Sequence, residues 1–285
     1  GITGTPKEYI YTITKRWMDP DGDGNPADGI DGWRLDVAFC IKHPFWKEWR
    51  KHVKAINPDA YLTAEVIDTI EAVQPYLQGD EFDAVMNYNF AFTSADYFFA
   101  KKHKISTTAF DTMLQELRNS FPECVAYVQQ NLFGSHDANR IGSHIVNADL
   151  GSYRKFGEYF QLSKGSNPDY NVRKPNDEEY HLQKLFAIFQ MTYVGAPMLY
   201  YGDEVGMWGA NDPDCRKPMV WDDIAYDDEA AQPDQSLRTP DAVSPHAELL
   251  RHYKTLAAIR NASPVLQTGT YKTVIADDIY DVLVL

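Results

Sequence analysis

Cysteine is nearly absent: Cys40, Cys124 and Cys215 are the whole complement of a 285-residue chain, an odd number with no Cys-x-x-Cys spacing. That argues against a disulfide framework and a cysteine zinc site, and fits a reducing compartment. Long hydrophobic runs are missing as well. No stretch approaches the roughly 18 consecutive apolar residues of a membrane-crossing helix, so no membrane partner is expected. Positive charge is scarce, with 27 Lys and Arg against 41 Asp and Glu and a net charge of −14. Such a chain repels phosphate backbones, which sets nucleic acid aside as a partner. There is no internal repeat and no low-complexity tract. No signal-type segment follows Gly1, and any targeting sequence is expected upstream of it, which leaves the compartment open.

What is present is a large apolar and aromatic fraction. Hydrophobic residues make up 44% of the chain and aromatics 13%, including 18 Tyr and 6 Trp. That is ample for a sizeable core. Sugars also offer flat C–H faces that stack on such rings, although composition alone favours an aromatic-rich core. Short apolar runs alternate with helical periodicity, the pattern of a parallel α/β sheet or barrel. Strands are expected over 32–37, 61–66, 82–87, 128–134 and 196–201. Helices are expected from Pro6 (Tyr9, Ile10, Ile13 and Trp17 in phase), between the first two strands (Phe45, Trp49, Val53 and Ile56 buried), after Ser106, around Leu182–Phe189, and from about Pro245 to Arg260. The acidic stretch 202–244 reads as a long loop, of the kind that is usually functional or disordered. From Tyr271 to Leu285 the period becomes two, as in strands.

Three of the expected strands end on carboxylates: Arg34-Leu35-Asp36, Ala64-Glu65 and Ser135-His136-Asp137. Arg34 and Asp36 are two apart and share a strand face. In parallel barrels the reacting groups sit at those strand ends. Singly, an Arg–Asp pair is most often a structural ion pair and a strand-end Glu a solvated one; three such ends are harder to dismiss. Glycoside cleavage needs one carboxylate at the anomeric carbon and a protonated acid at the leaving oxygen. A guanidinium beside the first keeps it ionised. A three-carboxylate metal site is the competing reading, with no further ligand cluster beside it. Separately, Asp19, Asp21 and Asp23, with a glycine at the sixth position, match the first half of a DxDxDG calcium loop. Its twelfth position is Ile30 rather than Glu; Asp28 is a substitute ligand, and an acidic turn is an equal alternative. Tyr88, Phe90 and Trp208 are candidates for sugar stacking, each more readily explained as core.

The strings GWRLDVA, AEV, GSHDANR and APMLYYGDEVGMWGANDPDCRKPMVW resemble the α-amylase family, and the last of them its cyclomaltodextrinase, neopullulanase and maltogenic amylase branch. The resemblance runs over nearly the whole chain in the family's order. It implies a (β/α)8 barrel whose fourth, fifth, seventh and eighth strands end at these motifs. It also implies Asp36 as nucleophile, Glu65 as proton donor, Asp137 as transition-state stabiliser and Arg34 as the group orienting the nucleophile. His136, Asp212 and Arg216 become sugar contacts. The implied activity is retaining hydrolysis of α-1,4 links in maltooligosaccharides, cyclodextrins or pullulan. No cofactor is required, structural calcium is a candidate, an α-glucan oligosaccharide is the partner, and a homodimeric full-length protein stays open. An α-glucosidase, a transglycosylase, a non-catalytic sugar-binding protein and an inert fragment are the other readings.

The departures are specific. The family's first three strands, the Asn-His motif of the third, and the branch's N-terminal β domain have no counterpart here. Residues 1–263 are therefore expected to be a partial barrel and 264–285 the start of a C-terminal β domain, a piece expected to be inactive alone. Phe39 and Cys40 replace the branch's usual Asn-Glu, Ile67 its usual aromatic, and Ala64 the glycine before the catalytic Glu. The Phe39-Cys40 and Ile67 changes bear on substrate preference more than on chemistry.

Overall fold

The computed structural model describes residues 4–232 and 236–285. Of the long segment 202–244, Pro233, Asp234 and Gln235 therefore lie outside the described residues. The chain divides into two compact units, Gly1–Met86 with Asn119–Gln130, and Asn87–Arg118 with Asn131–Leu285.

In the first unit the helix Pro6–Met18 starts where Thr5 caps it and Glu8 closes a capping box. Its apolar stripe is not its buried face. Tyr9, Ile10 and Trp17 are exposed, and Thr14 and Met18 are buried instead. Thr14 Oγ1 accepts the indole N–H of Trp49 at 3.0 Å, so a hydrogen bond to the next helix selects that face. In that next helix, His43–Ile56, Trp46 is buried with Trp49 and Val53, while the expected Phe45 and Ile56 are only half-buried. Strands β1 (Gly32–Leu35), β2 (Tyr61–Ala64) and β3 (Ala84–Val85) form a parallel sheet in that order, with Leu35 opposite Ala64 and Ala64 opposite Val85. A parallel bridge joins Met86 to Gln130. Gly32 is required, because a Cβ there would lie 2.1 Å from the carbonyl oxygen of Tyr61. The expected strand 128–134 is cut short: a helix, Glu123–Val128, occupies its beginning, and β4 is only Gln130–Asn131.

In the second unit β5 (Ala196–Pro197) aligns with β4, Met198 N donating to Asn131 O at 3.0 Å. Five strands thus stand where the sequence places them, all of them shorter. Tyr88–Phe98 is a helix almost wholly buried, and Thr107–Asn119 buries Phe110, Leu114 and Leu117. The helices Asp177–Thr192 and Ala247–Ala262 pack through Tyr180, Ala187, Met191, Leu249, Tyr253 and Leu256. Leu185 of the first of these helices is exposed. The segment 202–244 carries an antiparallel hairpin, β6 (Glu229–Ala231) with β7 (Leu237–Asp241), which alternation did not signal. Arg238, Glu229 and Asp241 hold it by ion pairs rather than by an apolar face. A short helix, Pro264–Thr268, precedes the antiparallel β8 (Ile275–Asp277) and β9 (Val282–Val284). Among the described residues no helix is long and apolar enough to cross a membrane.

Candidate active site

Because β1 and β2 are parallel and in register, the residues that follow them, Asp36 and Glu65, leave the same end of the sheet. The backbones lock that register. Glu65 N donates to Leu35 O at 2.9 Å, and Ala38 N donates to Glu65 O at 3.2 Å. Arg34 reaches both carboxylates, pairing through one nitrogen with Asp36 Oδ1 and through another with Glu65 Oε1. The two acids sit in opposite surroundings: the Asp36 side chain is 68% exposed and that of Glu65 only 5%. A buried carboxylate is costly unless donors face it. Arg34 is one, and the N–H of Val37 is another, 3.1 Å from Oε2. A carboxylate oxygen of Asp36 lies within 4.8 Å of one of Glu65.

In the second unit Asp137, His136, Asp212 and Arg216 form a charged group. Arg216 donates through Nη2 to Asp137 Oδ1 at 3.1 Å, and its Nε lies 2.6 Å from Asp212 Oδ1 and 2.9 Å from His136 O. His136 Nε2 lies 3.4 Å from Asp137 Oδ2. Ser135 shapes the turn, its hydroxyl accepting from Asp137 N and Ala138 N at 3.1 and 3.2 Å and itself held by Tyr88 OH. Behind it lies Arg140, fully buried. It donates to Cys215 O at 2.9 Å and Tyr201 O at 2.6 Å, and pairs with Asp203 Oδ1 at 3.1 Å. Cys215 Sγ in turn reaches His136 O. Arg140 therefore ties the His136–Asp137 turn to the chain that carries Arg216. Burial pushes the Asp203 carboxyl up to about 7, against the opposing pull of Arg140.

Sequence reasoning assigned no role to Val37, Arg140, Asp203 and Cys215. Arg140 and Asp203 stand inside the quoted motifs. Nothing in the sequence announces the left-handed backbone of Val37, at φ 46° and ψ 44°. Of the acidic loop, the structure brings together oxygens of Asp19, Asp21 and Asp28 within 4.8 Å, Asp19 buried and the others exposed. Asp23 stands aside from that group, accepting from Asn25 N at 2.7 Å. Three carboxylates around one point suit a hard, oxygen-seeking cation such as calcium. Tyr88, Phe90 and Trp208 are all buried, as core residues are.

An α-amylase catalytic domain model matches residues 5–170 and 167–269. Neopullulanase 2 of Thermoactinomyces vulgaris is 39% identical over 217 residues, 76% of this chain and 30% of that protein. A cyclomaltodextrinase of Geobacillus thermopakistaniensis is 37% identical over 272 residues, 95% of this chain and 36% of its own length. The chain thus spans about a third of the length of these two relatives. Among solved structures, the ligand-free cyclic α-maltosyl-(1→6)-maltose hydrolase of Arthrobacter globiformis superposes with a TM-score of 0.69 at 28% identity, over 96% of this chain and 48% of that one. A cyclomaltodextrinase superposes with a TM-score of 0.67 at 32% identity, over 95% and 36%.

Proposed function

The chain belongs to the α-amylase family, and from that premise we propose that it carries the machinery of a retaining hydrolase of α-1,4-glucosidic bonds in maltooligosaccharides, cyclodextrins or pullulan. The observation that carries this reading is the approach of Asp36 and Glu65 to within 4.8 Å. Retention goes with carboxyl groups about 5–5.5 Å apart, whereas inversion needs roughly 6.5–9.5 Å to admit a water between acid and base.

In this reading Asp36 attacks the anomeric carbon as Glu65 gives its proton to the leaving glycosidic oxygen. Glu65 then takes a proton from the water that releases the sugar from Asp36. Exposure and a guanidinium partner suit Asp36 to remain an ionised nucleophile, while burial favours the protonated form of Glu65 and the same guanidinium opposes it. Asp137 stabilises the oxocarbenium-like transition state, while His136, Asp212 and Arg216 hold sugar hydroxyls. Residues 1–263 belong to the catalytic barrel and 264–285 to a following β domain. Asp19, Asp21 and Asp28 would hold a structural calcium, which takes no part in the chemistry.

The test uses the full-length protein that contains this chain. Asp36→Asn should abolish cleavage of maltooligosaccharides and leave their binding largely intact, since an amide keeps the shape but is a far weaker nucleophile. Glu65→Gln should fail on the same substrates yet still react in the first step with a glycosyl fluoride, whose leaving group needs no proton. Near-parental turnover by Asp36→Asn, or equal losses on both substrate types by Glu65→Gln, would overturn the assignment.

A further inference from the structure

Val37, directly after Asp36, is β-branched and yet left-handed, at φ 46° and ψ 44°. For such a residue a positive φ is a genuine outlier, where glycine would enter freely. The surroundings hold it there. Cys40 N donates back to Val37 O at 2.9 Å. Ala38 is fully buried, and its carbonyl accepts the indole N–H of Trp46 at 2.9 Å.

In an extended strand successive N–H groups point to opposite edges. The left-handed turn at Val37 rotates the next peptide, so that two successive N–H groups face one residue. Val37 N donates to Glu65 Oε2 at 3.1 Å, and Ala38 N to the Glu65 carbonyl at 3.2 Å. We propose that Val37 is a positioning residue: its backbone, not its side chain, holds Oε2 of Glu65 and so designates Oε1 as the oxygen that carries the acid proton. In a neutral carboxyl group the carbonyl oxygen is the better acceptor, so the oxygen facing the fixed N–H is the carbonyl and the proton falls on the other. Arg34 can only donate, and it already pairs with Asp36 as well as with Oε1. When Glu65 is protonated, Arg34 releases Oε1 and keeps Asp36, whereas the N–H of Val37 stays where it is. The inference rests on Glu65 being the acid.

The experiment replaces Val37, in the full-length protein, with 2-hydroxyisovaleric acid by nonsense suppression. The side chain is kept and the N–H becomes an ester oxygen. Turnover of a maltooligosaccharide should fall about ten- to a hundredfold, the usual worth of a hydrogen bond to a charged group, and the first step with a glycosyl fluoride should stay within about twofold. Val37→Gly keeps the N–H and tolerates the same φ, and should preserve the parental ratio between the two substrates. Loss of turnover equal on both substrates, no loss on the oligosaccharide, or a ratio shifted as far by Val37→Gly as by the ester would overturn the proposal. Glu65→Gln runs alongside. If it loses equally on both substrates, the acid assignment fails and this inference with it; if its loss is selective and the ester's is not, only this inference fails.

Discussion

Asp203→Asn should reveal a hidden pH dependence of folding. Burial raises the Asp203 carboxyl from its ordinary 3.8 to about 7, with Arg140 offsetting part of the rise. Between those values the unfolded chain has released a proton that the folded state keeps, so stability falls as pH rises and levels off above about 7. A window of about three pH units at 1.36 kcal/mol each makes this about 4 kcal/mol. His144 works in the opposite sense. It is fully buried beside Tyr159 OH, and burial, then the charge of His103, lowers it from 6.5 to about 3. Below 6.5 the unfolded chain takes up a proton that the folded state refuses, so stability rises with pH from about 3 to 6.5. From about pH 4 to 6.5 the two slopes nearly cancel in the parent. Urea unfolding at a series of pH values separates them, because every other titration is common to parent and variant. The difference in unfolding free energy, Asp203→Asn minus parent, should rise by about 4 kcal/mol in the variant's favour from pH 4 to 7 and then stay flat. For His144→Gln the difference should grow in the variant's favour as pH falls below 6.5. Difference plots flat across these windows would refute the opposed-titration argument.

Two further outcomes follow from the first unit. Adding calcium to metal-stripped protein should raise its Tm, since a ligand that binds only the folded state stabilises it, and Asp21→Ala or Asp28→Ala should remove the response; a Tm indifferent to calcium would return the loop to an acidic turn. Gly32→Ala should cost at least about 3 kcal/mol in urea unfolding, because its Cβ would press on the carbonyl of Tyr61 and pry β1 from β2. Stability within about 0.5 kcal/mol of the parent would show that the strands can shift to admit it.

The sequence by itself determined the order of the first five strands, their parallel class and the residues with chemistry at strand ends. Apolar periodicity and the requirements of glycoside cleavage are written in single residues and short spacings. Three kinds of decision needed the tertiary structure. Which face of the helix Pro6–Met18 is buried was settled by a bond from Trp49, 35 residues beyond Thr14, against the helix's own apolar stripe. The hairpin β6–β7 is held by ion pairs, to which hydrophobic alternation is blind. Which carboxylates meet was decided by the path of the backbone: Asp28 rather than Asp23 joins Asp19 and Asp21, and a left-handed valine turns two N–H groups onto Glu65. A residue's chemistry is local, but its partners are set by which distant segments the fold brings alongside it. For Val37 and Arg140 those segments supply the burial and the hydrogen bonds that hold a strained backbone and a buried charge in place.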